Sequence, residues 1–150
     1  EPAIELEAAA WRALDNEITH FPDDNADYFA SGPSWLDGPD VLDQKAFFEA
    51  LLEGIEAGAP ANRLALDFHV AIARSSARIA SDICVREGID TVAISGGVFM
   101  NRLLLQLLAR ELKSAGLTVL VPHTVPVNDG CIAYGQAAVA SARLAQIASQ

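Results

Sequence analysis

Two glycines and one aspartate are the residues of this sequence best placed to serve a ligand. Gly96 and Gly97 follow a short apolar run, residues 91–94, and precede leucines at helical spacing. Such a strand–turn–helix layout brings backbone close to a neighbour, because glycine lacks a Cβ and accepts positive φ. The helix that follows points free N–H groups and its positive dipole end to the same place. The sequence therefore predicts an adenosine or phosphate group near this turn.

The diglycine has a second interpretation that the pattern leaves open. It lacks the lysine and hydroxyl residue of a P-loop and the third glycine of a dinucleotide fingerprint. A tight turn between a strand and a helix also requires small residues. A structural turn and a ligand-binding turn are thus both consistent with Gly96 and Gly97.

Asp129 follows an extended segment with two prolines, residues 122–127, and opens the last predicted helix. Aspartate at a helix start is a common N-cap, which stabilises the helix by roughly 0.5–2 kcal/mol relative to alanine. A carboxylate at that position is also available to a metal ion. One aspartate cannot complete a metal site, so further ligands would have to come from the histidines or from outside this chain.

The histidines and cysteines form no catalytic constellation, and we assign no catalytic residue. His69 falls beside the apolar stripe of a long predicted helix, which favours packing. His20 lies in a polar turn, and His123 is joined to Asp129 by an extended segment without fixed geometry, so neither is assigned as a ligand. Cys131 opens a helix but has no histidine partner, so we expect a small buried helix residue.

Hydrophobic periodicity predicts the elements that position these residues. The expected helices cover about residues 3–17, 43–57, 62–87, 98–115 and 131–147. The expected strands cover residues 27–30, 91–94 and 117–121. The order strand–helix–strand–helix in the second half predicts parallel strands covered by helices.

Apolar stripes predict which side of each helix faces the core. On the first three helices the predicted buried residues are Ile4, Ala8, Trp11 and Leu14, then Phe47, Leu51 and Ile55, then Phe68, Ile72, Ile79 and Ile83. Glu5 and Glu7 lie in the first turns of the first helix, where acidic side chains complement its dipole. Gly88 and Gly116 are expected to end the third and fourth helices.

Composition limits the function classes. The 150 residues suffice for one domain, and the net charge of −10 argues against nucleic acid as the main partner. No apolar run reaches the roughly 18–20 residues of a membrane span, so we expect a soluble protein. The two cysteines are far apart, which fits a reducing cytoplasm. The chain begins at Glu1 rather than Met, and we expect it to be a piece of a longer protein.

Three motifs resemble one known family. The segments GGVFMNRLL at residues 96–104 and VPVNDGCIAYGQA at residues 125–137 are similar to the C-terminal part of the HypF carbamoyltransferases, which are hydrogenase maturation factors. The opening segment PAIELE, residues 2–7, also resembles that family, so the resemblance spans nearly the whole chain. The TsaD family, which makes threonylcarbamoyladenosine on tRNA, shares these motifs in weaker form. The acidic charge favours HypF, because TsaD engages tRNA.

The resemblance implies an α/β fold. It would be a ribonuclease-H-like lobe of the actin/Hsp70 ATPase type, in which helices cover parallel strands and a helical hairpin occupies about residues 40–88. Residues 1–150 would form the second, C-terminal lobe of the transferase domain. That domain moves a carbamoyl group from carbamoyl-adenylate to the C-terminal cysteine of HypE, a step in making the cyanide ligands of the NiFe centre.

The resemblance also implies roles for individual residues. Gly96, Gly97 and Asn101 would contact the nucleotide, Glu5 would lie near the ribose, and Asp129 would be a metal ligand. The implied cofactors are ATP or carbamoyl-adenylate and a divalent metal, iron or zinc.

The implied partners are HypE and the first lobe of the same enzyme, which carries the two metal histidines in an H-x-x-x-H motif. That motif is absent from this sequence, so we expect the lobe alone to be inactive. Two alternatives stay open: a TsaD-like or O-carbamoyltransferase lobe, and a non-catalytic module that binds a nucleotide or a partner.

Overall fold

The computed structural model describes residues 2–16, 41–122, 124–125 and 128–148. Its α-helices are α1 (Pro2–Asn16), α2 (Gln44–Glu56), α3 (Ala61–Glu87), α4 (Arg102–Ser114) and α5 (Ile132–Ala148). Two short 3₁₀ turns, Gly97–Met100 and Asp129–Cys131, precede α4 and α5. The strands are β1 (Thr91–Ala93) and β2 (Thr118–Leu120). The strand expected over residues 27–30, His20 and His123 lie outside the described residues.

The two strands pair in parallel, as the sequence predicts, with Val92 opposite Val119. The Thr118 N–H donates to the Asp90 carbonyl at 2.8 Å, and the Ile94 N–H donates to the Leu120 carbonyl at 2.9 Å. These bonds extend the ladder by one residue at each end. The connection between the strands runs through the first 3₁₀ turn and α4, which is the crossover that parallel strands require.

The strand predicted over residues 91–94 is present but only partly buried. Thr91 and Ala93 are exposed, Val92 is half-buried and Ile94 is buried. Within the described residues, only the face with Val92 and Val119 packs against the helices. The prediction that helices cover the strands therefore holds for one face.

The core lies between α1, α3 and α4. It is built from Ala10, Ala13, Ala65, Leu66, Val70, Ala73, Ala77, Ile94, Leu103, Leu104, Leu107, Leu108 and Leu112. Alanines dominate the contributions of α1 and α3, whereas α4 contributes only leucines. Small residues let α1 and α3 approach each other closely, and the leucines of α4 then fill the space that remains.

Two of the predicted helix faces are only partly right for this reason. On α1, Trp11 and Leu14 pack half-buried against the core, but the buried residues are Ala10 and Ala13, and Ile4 is 64% exposed. On α3 the row around Leu66 and Ala73 faces the core with Ile72 packed beside it, and Ile83 is exposed. Small side chains are buried where the helices are in close contact, although the larger side chains give the stronger apolar signal in the sequence.

Helix α2 packs against α3 through its first half. Phe47 is buried against Ala71 and meets the ring of Phe68 edge-on, with ring centroids 5.1 Å apart. Ile55, expected in the core, is 56% exposed, and Leu51 is half-buried. Contact with α3 thus holds the beginning of α2, whereas Ile55 in the last turn is exposed.

Glycines end α3 and α4 where the sequence places them. Gly88 takes a left-handed conformation with φ of 66°, and Gly116 follows α4 with φ of 82°. Both conformations are strained for residues with a Cβ. None of the described helices is long and apolar enough to cross a membrane.

Candidate functional site

The two motif turns follow the carboxyl ends of β1 and β2. Because the strands are parallel, both turns leave the same edge of the sheet, which is where α/β folds place ligands. A contact joins them, since the Asn128 Nδ2 donates to the Met100 Sδ at 3.4 Å. The structure thus brings together the diglycine and the segment before Asp129, which are separate in sequence.

Gly96 has a backbone conformation that only glycine adopts readily, with φ of 119° and ψ of 156°. It starts the 3₁₀ turn, in which the Phe99 N–H donates to the Gly96 carbonyl at 3.0 Å. The helix expected from Val98 begins only at Arg102, because Asn101 is extended and caps α4. At Gly96 the structural interpretation of the diglycine is therefore sufficient.

Gly97 has no such internal requirement. Its φ lies outside the left-handed region, and a Cβ added there would meet nothing within 4 Å among the described residues. The described residues leave open space over Gly97, at the edge of the sheet where the two turns meet. This space is compatible with the close approach of a group from outside the chain.

The N-terminus of α4 is occupied by the chain's own groups. The Arg102 and Leu103 N–H groups donate to the Glu7 Oε1 at 2.9 and 3.4 Å. The Leu104 N–H donates to the Asn101 Oδ1 at 2.9 Å. The expectation that free N–H groups of this helix meet the ligand is therefore wrong. A carboxylate from α1 already occupies the positive end of the helix dipole.

Glu7 lies near the start of α1, and its negative charge also complements the dipole of α4. Its Oε1 also accepts the Trp11 Nε1–H at 3.4 Å, which steadies the side chain on α1. Glu5, the residue predicted near the ribose, is exposed in the first turn of α1. The ribose assignment of Glu5 stays a prediction.

Asn101 links the first turn to α3. Besides capping α4 with its Oδ1, it places its Nδ2 at 2.8 Å from the His69 Nε2. His69 is 2% exposed, so the expectation that it packs in the core is confirmed. The bond to Asn101, however, gives His69 a polar role at the site that sequence reasoning missed. No short-range pattern signals a partner 32 residues away.

Asn128, and not Asp129, caps the second 3₁₀ turn. The Asn128 Oδ1 accepts the Gly130 N–H at 3.1 Å, and its carbonyl accepts the Cys131 N–H at 3.1 Å. A Cβ on Gly130 would lie 3.1 Å from that same Oδ1, so the cap also favours glycine there. Asp129 is exposed, so its carboxylate is available for another purpose. Cys131 is half-buried rather than buried.

Asp129 does not form a metal site together with other described residues. Among the described residues, no group of three or more His, Cys, Asp or Glu side chains could hold a metal ion. An exposed carboxylate that caps no described residue fits the role of a single oxygen ligand. A complete site would need donors from elsewhere.

Known carbamoyltransferases resemble this chain in both sequence and fold. Residues 1–136 match the family described as the carbamoyltransferase, Kae1-like domain, second subdomain. The chain is 38% identical over 109 residues to a carbamoyltransferase HypF homolog of Cupriavidus necator, covering 71% of this chain and 27% of that protein.

Two solved structures have a similar fold. The HypF structure from T. kodakarensis matches with a TM-score of 0.72 and 28% identity, over 97% of this chain and 17% of that one. Full-length HypF in a phosphate- and nucleotide-bound form matches with a TM-score of 0.64 and 32% identity, over 69% of this chain and 14% of that one. The chain thus spans little more than a quarter, at most, of the length of these relatives.

Proposed function

Since the chain belongs to the family of second subdomains of Kae1-like carbamoyltransferase domains, we propose that it forms one wall of the nucleotide cleft of a HypF-type enzyme. The observation that carries the proposal is the position of Gly97: it needs no left-handed conformation, the described residues leave space over it, and it lies where the two motif turns meet at the carboxyl edge of the parallel sheet. Backbone that lies open at this edge suits a flat adenosine or a phosphate, which a side chain would obstruct. The nucleotide in the full-length HypF structure supports the same chemistry.

The proposed reaction is carbamoyl transfer. Carbamoyl-adenylate would lie in the cleft between this lobe and the first lobe of the same enzyme. The carbamoyl group would then pass to the C-terminal cysteine thiolate of HypE, in the synthesis of cyanide ligands. The HypF homolog of Cupriavidus necator is named a carbamoyltransferase, which supports the reaction class. A ribonuclease-H-like classification of the lobe is part of this proposal, and the small parallel sheet is compatible with it.

Each predicted residue has a distinct place in the proposed cleft. Gly96 shapes the turn, Gly97 admits the nucleotide, and Asn101 presents its amide beside them. Glu5 is proposed near the ribose because residues 2–7 resemble the family's motif. Residues two apart on a helix do not share a face, so the contact of Glu7 with the N-terminus of α4 does not direct Glu5 toward the cleft.

Asp129 is proposed as this lobe's metal ligand, with histidines of the first lobe completing the site. A divalent metal held there would supply Lewis-acid polarisation of a phosphate or carbonyl oxygen. The contribution of this chain is to hold one oxygen donor at the edge of the sheet, with Asn128 fixing the turn from which the donor projects. The lobe alone is expected to be inactive.

Calorimetric titration of the complete enzyme with AMP tests the nucleotide cleft. Gly97→Ala adds a methyl group to the open space and should weaken AMP binding about tenfold or more, because the base or phosphate can no longer approach the backbone. Thermal unfolding measured in parallel should be unchanged, since the methyl group meets no atom of the described chain. Equal AMP affinity in the wild type and Gly97→Ala would contradict the proposed cleft.

The tRNA-acting alternative predicts a different ligand. A lobe of that kind should bind tRNA in an electrophoretic shift assay at physiological salt. With 10 basic residues against 20 acidic ones, this chain has little charge with which to neutralise phosphates. We therefore expect no shift, and a tRNA complex would favour the alternative.

A further inference from the structure

The amide of Asn101 has one defined orientation. Its Oδ1 accepts the Leu104 N–H at 2.9 Å. Only the oxygen of an amide can accept, so this bond identifies the two ends of the group. The nitrogen Nδ2 therefore faces the His69 Nε2 at 2.8 Å and donates a hydrogen to it.

The same reasoning fixes the tautomer of His69. Its Nε2 accepts from the Asn101 Nδ2, so Nε2 carries a lone pair and no hydrogen. Its Nδ1 lies 2.7 Å from the Ala65 carbonyl oxygen, which can only accept, so Nδ1 carries the hydrogen. His69 is thus held as the neutral Nδ1–H form, with an acceptor directed at Asn101.

Packing keeps the imidazole ring in this orientation. His69 is buried, and the ring of Phe68 stands beside it at 75°, with centroids 5.7 Å apart. Phe68 in turn meets Phe47 of α2. A half-turn of the imidazole would move both nitrogens away from their partners and leave buried polar atoms unpaired, which is unfavourable by about 1–3 kcal/mol for each atom. The ring therefore serves as a fixed acceptor on α3.

One hydrogen of the Asn101 amide is left for another partner. Among the described residues, the Oδ1 is used by Leu104 and one Nδ2 hydrogen by His69. The second Nδ2 hydrogen has no acceptor there. Asn101 is half-buried and directly follows the Gly97–Met100 turn, so its side-chain amide lies next to the proposed cleft.

We propose that His69 is a positioning residue of the nucleotide site: it holds the Asn101 amide so that the second Nδ2 hydrogen is kept available to the nucleotide. This inference rests on the proposed nucleotide cleft and adds a residue outside it. His69 itself touches no ligand, and its effect passes through Asn101. Without the acceptor on His69 the amide would keep its cap on Leu104 but lose the bond that fixes its nitrogen.

Two substitutions separate positioning from packing. His69→Gln keeps a polar acceptor close to the position of Nε2, although glutamine is more flexible and packs less well. His69→Leu fills the volume with an apolar side chain but offers no acceptor. Positioning therefore predicts that glutamine substitutes for histidine and leucine does not, whereas a packing role predicts the reverse.

The measurement is AMP affinity of the complete enzyme by calorimetry, with thermal unfolding of each variant. We expect AMP binding about five- to tenfold weaker in His69→Leu, the size of one lost hydrogen bond. We expect His69→Gln to remain within about twofold of the wild type. Leu66→Val is the control, because it weakens the buried face of the same helix without removing a hydrogen bond.

Each contrary outcome has a definite meaning. Equal affinity in all variants, equal losses in both His69 variants, or a loss in Leu66→Val as large as in His69→Leu overturns the positioning role and leaves the cleft standing. A wild-type enzyme that does not bind AMP refutes the proposed cleft and this inference with it. Weak binding in His69→Leu together with near-normal binding in His69→Gln supports the inference.

Discussion

Removal of the Glu7 carboxylate is expected to weaken the fold through a helix 95 residues away. Glu7→Ala deletes a charge-assisted hydrogen bond to the Arg102 N–H at 2.9 Å and a longer one to the Leu103 N–H at 3.4 Å. Hydrogen bonds to charged groups contribute about 1.5–3 kcal/mol. Arg102 is exposed, so water replaces part of the loss, and we expect a net destabilisation of about 1–2 kcal/mol.

The matched substitutions separate charge from hydrogen bonding. Glu7→Gln keeps an acceptor for the helix but removes the negative charge, so about 0.5–1 kcal/mol should be lost. Glu5→Ala is the control, since Glu5 is exposed on the same helix, and substitutions of exposed residues usually change stability by less than about 0.5 kcal/mol.

Urea unfolding of the 150-residue chain, followed by far-UV circular dichroism, gives the free energies. The expected order of stability is wild type, then Glu7→Gln, then Glu7→Ala, with Glu5→Ala close to wild type. In thermal unfolding, a loss of 1 kcal/mol corresponds to about 2–4 °C for a domain of this size. If Glu7→Ala is as stable as Glu5→Ala, the Glu7 contact does not hold α4 and the reasoning fails.

Two further predictions concern the turns. Gly96→Ala should lower the free energy of unfolding by about 1–3 kcal/mol in urea, because its φ of 119° strains any residue with a Cβ; a stability equal to that of Gly97→Ala would contradict this. Asp129→Ala in the complete enzyme should abolish carbamoyl transfer and leave the circular dichroism spectrum unchanged, since the side chain is exposed and Asn128 forms the cap. A wild-type transfer rate in that variant would refute the metal-ligand assignment.

Sequence reasoning located the elements well where the signal is local. Gly88 and Gly116 end their helices as predicted, because a left-handed residue at a helix end is a property of a few neighbouring residues. The parallel pairing of β1 and β2 follows from the single helix between them. The start of α4 was placed four residues too early, because the leucines after Asn101 and the apolar residues before it form one continuous pattern.

The choice of helix face depends on what packs opposite. Ile4 and Ile83 give a stronger apolar signal than Ala10 and Ala73, yet the alanines are buried. Where helices pack closely, the size of a side chain as well as its hydropathy decides whether it is buried. A single sequence does not say which neighbour a helix face will meet, so the apolar stripe alone identifies only part of the buried face.

The sequence predicts the turns of the candidate site, but it does not predict the hydrogen bonds that join its distant residues. Gly96, Gly97 and Asn101 occur together in sequence, and the turn they form is where the motif places it. The partners of Asn101 and of α4 are His69 and Glu7, which lie 32 and 95 residues from the groups that they contact. Pairings over such distances are set by the fold, and nothing in the local pattern indicates them.

The contact between Glu7 and α4 also imposes an order on assembly during synthesis. Helix α1 is made before α4, and its carboxylate has no helix end to meet until the chain has been made beyond Arg102. Closing a loop of that length costs entropy before the long-range contacts can compensate for it. We therefore expect the contact between Glu7 and α4 to form late in the assembly of residues 2–114, after the helices between them have been made.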